Sequence, residues 1–257
     1  MRLSKRLGDG KATEVIYSKL PPGAQLEFDE AMCKEIGQVL TTKVLERLKR
    51  EELTQMDMER VLKMRWVLTY KYQEGGARTP KARLVILGYQ HPSLTELATA
   101  APTLGKLARN MLFQVCAHHR FKIKFGDVSS AFLQTDPSGE FESLNVKVPI
   151  EVAHAFPDEL GRPSDILKMV KSFYGLTTAP RAWWLDISRK LKAQGWKRLG
   201  TDQCVWILLD KHNALKGIIG VHVDDFIIAS DEGPKFYLAA EKRIQYLYRW
   251  GAWASGQ

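Results

Sequence analysis

The stretch Val221-His-Val-Asp-Asp-Phe-Ile-Ile restricts this chain more than any other. It lies inside the longest greasy run, Gly217 to Ala229, where two adjacent carboxylates interrupt what otherwise reads as buried strand. Like charges side by side in apolar surroundings repel one another and lose solvation. The run folds readily if the chain reverses at the acids, with one strand from Leu215 to Val223 and a return from Phe226 to Ala229. The acids then sit at the tip of an apolar hairpin. A divalent cation compensates such a pair well, because magnesium takes a few carboxylate oxygens and completes its shell with water and phosphate. On the dipeptide alone, a solvated Asp-Asp turn is the more ordinary reading.

A third acid changes the balance. Phe121-Lys-Ile-Lys-Phe-Gly-Asp127-Val alternates apolar and basic residues, the period of a strand with one buried face, and ends on a carboxylate. Strict alternation puts Asp127 on the face of Phe121, Ile123 and Phe125, so a bulge at Gly126 is expected to re-aim it. If this strand neighbours the hairpin in one sheet, Asp127, Asp224 and Asp225 can hold two ions about 4 Å apart, the arrangement that activates a 3′-hydroxyl and stabilises a leaving pyrophosphate. Such phosphoryl transfer works by positioning and charge and needs no protein nucleophile.

Lys plus Arg number 38 against 29 Asp plus Glu, a formal charge of +9, which favours a polyanionic partner, nucleic acid before an anionic membrane. Hydrophobic residues at 45% and charged residues at 26% are those of an ordinary globular protein. Three scattered cysteines, Cys33, Cys116 and Cys204, form neither a disulfide framework nor a zinc pattern and point to an intracellular setting. The N-terminus lacks an apolar core of signal-peptide length, and no segment reads as membrane-spanning. The histidines fall at no ligand spacing, and the His118-His119 pair reads as structural.

Along the chain, an irregular arm to about residue 25 leads into a charged helical stretch from Glu27 to about Arg60. Two β-rich runs, Trp66 to Tyr72 and Ala82 to Tyr89, flank Glu74-Gly75-Gly76 and read as a hairpin carrying Lys71, Arg78, Lys81 and Arg83. Leu104 to Ala117 is apolar at helical spacing and reads as a core helix with Leu107, Met111, Phe113 and Val115 inside. Pro180 and Gly195 bracket another helix with Trp183, Trp184, Ile187 and Leu191 as its buried stripe, and Cys204 to Leu209 forms a strand. Helices and strands are segregated, so the expected class is α+β.

Asp127-Val-Ser-Ser-Ala-Phe-Leu-Gln, Tyr174-Gly-Leu-Thr-Thr-Ala-Pro-Arg-Ala-Trp and His222-Val-Asp-Asp, with Lys81-Ala-Arg-Leu-Val upstream, together resemble the reverse transcriptase of copia-type LTR retrotransposons in order and rough spacing. The resemblance implies a right-hand polymerase fold whose palm is an antiparallel sheet backed by helices. It assigns 1–55 to an N-terminal arm and helical extension, 56–120 and 141–175 to fingers, and 121–140 and 176–257 to palm, with the thumb largely missing. It implies RNA-directed DNA polymerase activity with Mg²⁺ (two ions, Mn²⁺ as a substitute), dNTPs, and an RNA or DNA template with its primer. Asp127, Asp224 and Asp225 resemble the catalytic acids, and the Val128 carbonyl a further metal ligand. Phe132 resembles the steric gate that rejects a 2′-hydroxyl; otherwise it is a core Phe. Lys81 and Arg83 resemble the residues gripping the triphosphate, although either also reads as a solvated hairpin charge. Tyr174 and Gly175 resemble the nucleotide-pocket block, although Gly175 also reads as a turn before the Pro180 helix.

His222 stands where the family usually has Tyr, and Thr177-Thr178 where it usually has a basic residue and Gln. No length is expected for the ribonuclease H, integrase or protease that accompany the enzyme in a polyprotein. A remnant that binds nucleic acid without polymerising is the alternative, and a two-metal nuclease a third reading.

Overall fold

Apolar residues alternate from Leu62 through Met64, Trp66 and Leu68, and the stretch extends as the long strand β2 (Val61–Tyr72), which with β3 (Arg78–Ile86) makes an antiparallel hairpin. The computed structural model describes residues 14–48, 61–72, 76–137, 144–149, 166–231 and 235–255, so most of the expected Glu74-Gly75-Gly76 turn lies outside the described residues. Two compact units interleave along the chain. The first holds the described residues up to Leu97 and those from 144 through Ala179; the second holds Ala98 to residue 137 and Pro180 onward.

In the first unit, β1 (Leu45–Arg47), β5 (Leu144–Lys147) and β6 (Ile166–Met169) join the hairpin in a five-stranded sheet of order β1-β6-β5-β2-β3. Among the described residues only β2 and β5 pair in parallel. Helix α1 (Pro22–Thr42) buries Phe28, Met32, Ile36 and Val39, at the three- and four-residue steps of one helical face. It starts earlier than Glu27 because Pro22 suits the first helical position. It also stops well before Arg60: Lys43 takes a left-handed conformation at φ 51°, and the chain leaves as β1; residues 49–60 lie outside the described residues.

In the second unit, β4 (Lys122–Val128), β7 (Lys197–Arg198), β8 (Val205–Leu209), β9 (Leu215–His222), β10 (Asp225–Ser230) and β11 (Trp250–Ser255) form a six-stranded sheet of order β11-β4-β10-β9-β8-β7, antiparallel throughout. Helices cover both faces. On one, Trp183, Ile187 and Leu191 of α3 (Ala179–Ala193) and Ala240 and Ile244 of α4 (Lys235–Gln245) pack with Trp206, Ile219, Val221, Phe226 and Ile228. On the other, Leu112 and Cys116 of α2 (Lys106–His119) pack with Val205, Ile218 and Ala229. Burial on both faces explains why β9 and β10 read as continuous apolar runs.

Two sequence expectations need correction. Only one edge of α2 is core: Leu107 and Met111 are 74% and 59% exposed, and burial falls on Leu112 and Cys116. The helix lies on the sheet by a narrow stripe, which a count of apolar residues overstates. On α3, Trp183 lies in one core and Trp184 is half-buried against the other, with Arg198 over its ring. The class is a mixed arrangement of two sheets with few helices. Among the described residues no helix is long and apolar enough to cross a membrane.

Candidate active site

The β9–β10 hairpin closes with His222 paired to Asp225, leaving Val223 and Asp224 as its loop. Of these two only Val223 has positive φ, at 58°, the signature of a type II′ turn, whose first loop position is usually Gly. A β-branched residue there is strained, at a cost of about 1–3 kcal/mol. Two hydrogen bonds hold the turn: the Trp183 indole N–H donates to the Val223 carbonyl at 2.6 Å, and the Val128 N–H donates to the Asp224 carbonyl at 2.9 Å. The hairpin tip is thus tied both to helix α3 and to the end of β4.

Strand register does the rest. Asp225 lies opposite Asp127 on β4 and opposite His222 on β9, so the three side chains line up across three strands on one face. Phe226, Ile228 and Val128 point into the α3–α4 core, so this row belongs to the face that carries α2. All three side chains and Asp224 are exposed at the edge of that face. The Asp225 carboxyl is held above its ordinary range, by burial first and then by the charges of Asp224 and Asp127, with His222 opposing.

Among the described residues no group of three or more His, Cys, Asp or Glu side chains is already gathered as a cage for a metal ion. The donor set nevertheless fits a hard divalent cation. It offers carboxylate oxygens only, Asp224 and Asp127 add to the raised proton affinity of Asp225, and magnesium needs few protein ligands when waters and phosphates complete its shell. A cation would relieve the repulsion that raises Asp225.

The register also corrects one expectation about Asp127. Pairing of β4 with β10 runs unbroken through Gly126, so there is no bulge at that residue between these strands. The irregularity lies on β11, between Trp250, opposite Val128, and Ala252, opposite Asp127, making Gly251 the extra residue. Gly126 is small for another reason: a Cβ there would lie 2.7 Å from the Trp250 ring, which stacks on Trp253 with centroids 4.7 Å apart. At Gly251 a Cβ would come within 3.0 Å of Asp127 Oδ2 and 2.9 Å of Ser129 Oγ. The bulge thus brings backbone against the Asp127 carboxylate without a side chain in the way.

Of the other residues singled out from sequence, Val128 is buried at 1% exposure, and Phe132 is half-buried in the short 3₁₀ turn Ala131–Gln134, packed against the α3–α4 core. Lys81, Arg83, Tyr174 and Gly175 lie in the first unit. Lys81 is exposed on β3. Arg83 donates to the Glu35 carboxylate at 2.7 Å and sits 5.0 Å over the Tyr174 ring. Glu35 is 3% exposed, and burial outweighs Arg83 in raising its carboxyl. Arg83 therefore neutralises a buried acid as well as carrying charge. Gly175 has φ +88°, and a Cβ on it would strike the Ile86 carbonyl oxygen at 2.1 Å, while the Ile86 N–H donates to Tyr174 O at 2.8 Å. Its lack of a side chain is used against β3.

Trp183 and Gly251 touch this constellation and Tyr248 backs Trp183, none of them having been singled out for it. Tyr248 packs on Trp183 with centroids 4.7 Å apart and donates its hydroxyl to Asp186 at 2.8 Å. Asp186, 1% exposed at its side chain, also accepts Lys190 at 2.8 Å and Arg189 at 2.5 Å. The sequence signal was faint, an Arg-Ala-Trp block in which tryptophan reads naturally as core.

The family model for reverse transcriptase (RNA-dependent DNA polymerase) matches residues 53–244, more than half of the chain. The chain belongs to the reverse transcriptase family. Within the family it is similar to the retrovirus-related Pol polyprotein from transposon RE1 of Arabidopsis thaliana, 30% identical over 170 residues, which is 65% of this chain and 11% of the relative. It is similar also to the retrovirus-related Pol polyprotein from transposon TNT 1-94 of Nicotiana tabacum, 27% identical over 68% of this chain and 13% of that protein. The Ty1-OR Gag-Pol polyprotein of Saccharomyces cerevisiae is 26% identical over 95% of this chain, which spans 14% of that polyprotein. The resemblance to copia-type reverse transcriptases is borne out, and the chain spans a small fraction of these relatives.

Proposed function

We propose that the chain is an RNA-directed DNA polymerase of a copia-type retrotransposon, adding dNTPs to a primer 3′-hydroxyl with Asp127, Asp224 and Asp225 as its catalytic acids. The observation that carries this reading is the pairing of Asp225 with Asp127 in the sheet of a reverse transcriptase family member, with Asp224 beside them at the hairpin tip.

On this reading the second unit is the palm and the first the fingers. Asp127, Asp224 and Asp225, with the Val128 carbonyl, would hold two Mg²⁺ ions, Mn²⁺ serving as a substitute. When bound, the metal supplies acidification of the primer hydroxyl and neutralisation of the leaving pyrophosphate. The chain's own residues do the rest. The hairpin and β4 fix the acids so that little reorganisation is needed as charge develops. Phe132 lies five residues after Asp127 and serves as the gate under the sugar. Lys81 offers an exposed cation to the triphosphate, and Arg83, stacked on Tyr174, orients that ring while neutralising Glu35. The net positive charge attracts template and primer phosphates. Ribonuclease H and integrase are the other polyprotein parts this activity would work beside.

Phe132→Val tests the sugar-selecting role: ribonucleotide incorporation should rise relative to deoxynucleotide incorporation, and unchanged selection would remove the gate. Primer extension on an RNA template tests the polymerase itself.

A further inference from the structure

We propose that Trp183 is a positioning residue whose indole N–H, bonded to the Val223 carbonyl, holds the strained hairpin turn in the conformation that presents Asp224 and Asp225. This deepens the polymerase reading and rests on it for the identity of the reaction.

Val223 is the wrong residue type for its conformation. At φ 58° a β-branched side chain is crowded against its own backbone, and nothing in the local sequence favours that state over a flipped peptide. Something outside the turn must select it. The 2.6 Å bond from Trp183 Nε1 to Val223 O fixes the direction of the carbonyl that joins the two loop residues, and so holds the turn from outside. The donor is itself held by its packing. Trp183 is 2% exposed, packs on Tyr248 at 4.7 Å, and Tyr248 is anchored by its 2.8 Å bond to buried Asp186. The Val128 N–H secures the next carbonyl, that of Asp224, so both loop peptides are held from outside the turn. A rigid helix with a bulky, fully packed donor thus fixes two carboxylates that stand exposed beyond the last strand pair.

The test is a double-mutant cycle between Trp183 and Val223. Trp183→Phe keeps an aromatic ring but removes the donor; kcat for primer extension should fall by about tenfold or more, equivalent to ~1.4 kcal/mol, with little change in nucleotide KM. Val223→Gly makes positive φ free of penalty, so in that background Trp183→Phe should cost no more than about threefold. An equal loss in both backgrounds would show that Trp183 acts only by filling space, and an unchanged kcat would show that its N–H positions nothing; either overturns the proposal. If Trp183→Phe does not fold, benzothienylalanine at position 183, which puts sulfur in place of N–H at nearly the same volume, replaces it with the same expectations. Mn²⁺ titration without nucleotide reads the same cycle independently of turnover: affinity should weaken on loss of the N–H and recover with Val223→Gly. A wild-type protein that extends no primer yet shows this pattern in Mn²⁺ binding would sink the polymerase reading and keep the clamp; a Mn²⁺ affinity indifferent to both changes would sink the clamp.

Discussion

Asp225 stands directly opposite Asp127 across the β10–β4 ladder, both on the face away from the α3–α4 core. Two like charges in a directly opposed cross-strand position destabilise a sheet unless a counter-charge accompanies them. On the proposed reading a bound cation supplies that counter-charge, and the arrangement carries consequences for stability as well as for chemistry.

The raised Asp225 carboxyl gives the first. Its folded pKa lies above its unfolded value, so the stability it contributes is full below the unfolded pKa and is lost as pH rises through the folded one. In chelator at neutral pH, Asp225→Asn should therefore melt higher than wild type, by less than about 1 kcal/mol because the group is open to solvent. The gap should close as pH falls below the carboxylate range. Thermal melts from neutral to acidic pH, with and without Mg²⁺, check this; a variant melting lower than wild type at neutral pH would contradict the repulsion.

Gly251 gives the second. Alanine there places a methyl group 3.0 Å from Asp127 Oδ2, so Gly251→Ala should push the carboxylate aside and lower primer extension about tenfold or more. Fold stability should change by no more than about 1 kcal/mol, since the residue sits at an exposed bulge. Denaturant unfolding beside steady-state kinetics separates the effects, and full activity in the variant would remove the steric role.

Lys81 and Arg83, which the sequence left indistinguishable, should separate by stability. Arg83→Ala takes the ion-pair partner from buried Glu35, leaving it the Leu84 backbone N–H and the Lys81 charge, and should cost up to several kcal/mol, roughly 3–5 if the acid stays ionised and less if it takes up a proton. Lys81→Ala, on an exposed side chain whose charge also acts on Glu35, should cost less than about 1 kcal/mol while raising nucleotide KM. Equal destabilisation by both would contradict this division of roles.

Much of the six-stranded sheet was legible: the apolar run from Gly217 to Ala229 folds as the hairpin its two acids require, and the alternating stretch Phe121 to Val128 falls beside it. What escaped was non-local. The bulge expected at Gly126 lies on β11, because a glycine marks a close approach without saying which strand makes it. Trp183 read as core, and it is core; its N–H has a second task that only the position of Val223 reveals. Arg83 read as a triphosphate grip or a solvated hairpin charge, and not as an ion-pair partner, because buried Glu35 comes from a distant helix whose end at Lys43 the charged sequence also concealed. Side-chain partners set by tertiary packing leave no periodicity to read.

Every role proposed for this site depends on whether these acids join nucleotides. The most direct measurement is extension of a labelled primer on an RNA template with Mg²⁺ and dNTPs, wild type beside Asp224→Asn, with template binding followed in parallel. Extension by wild type, and none by a variant that binds template as tightly, is the predicted result. Extension by Asp224→Asn at the wild-type rate, or none by a wild-type protein that binds template and metal, would contradict it.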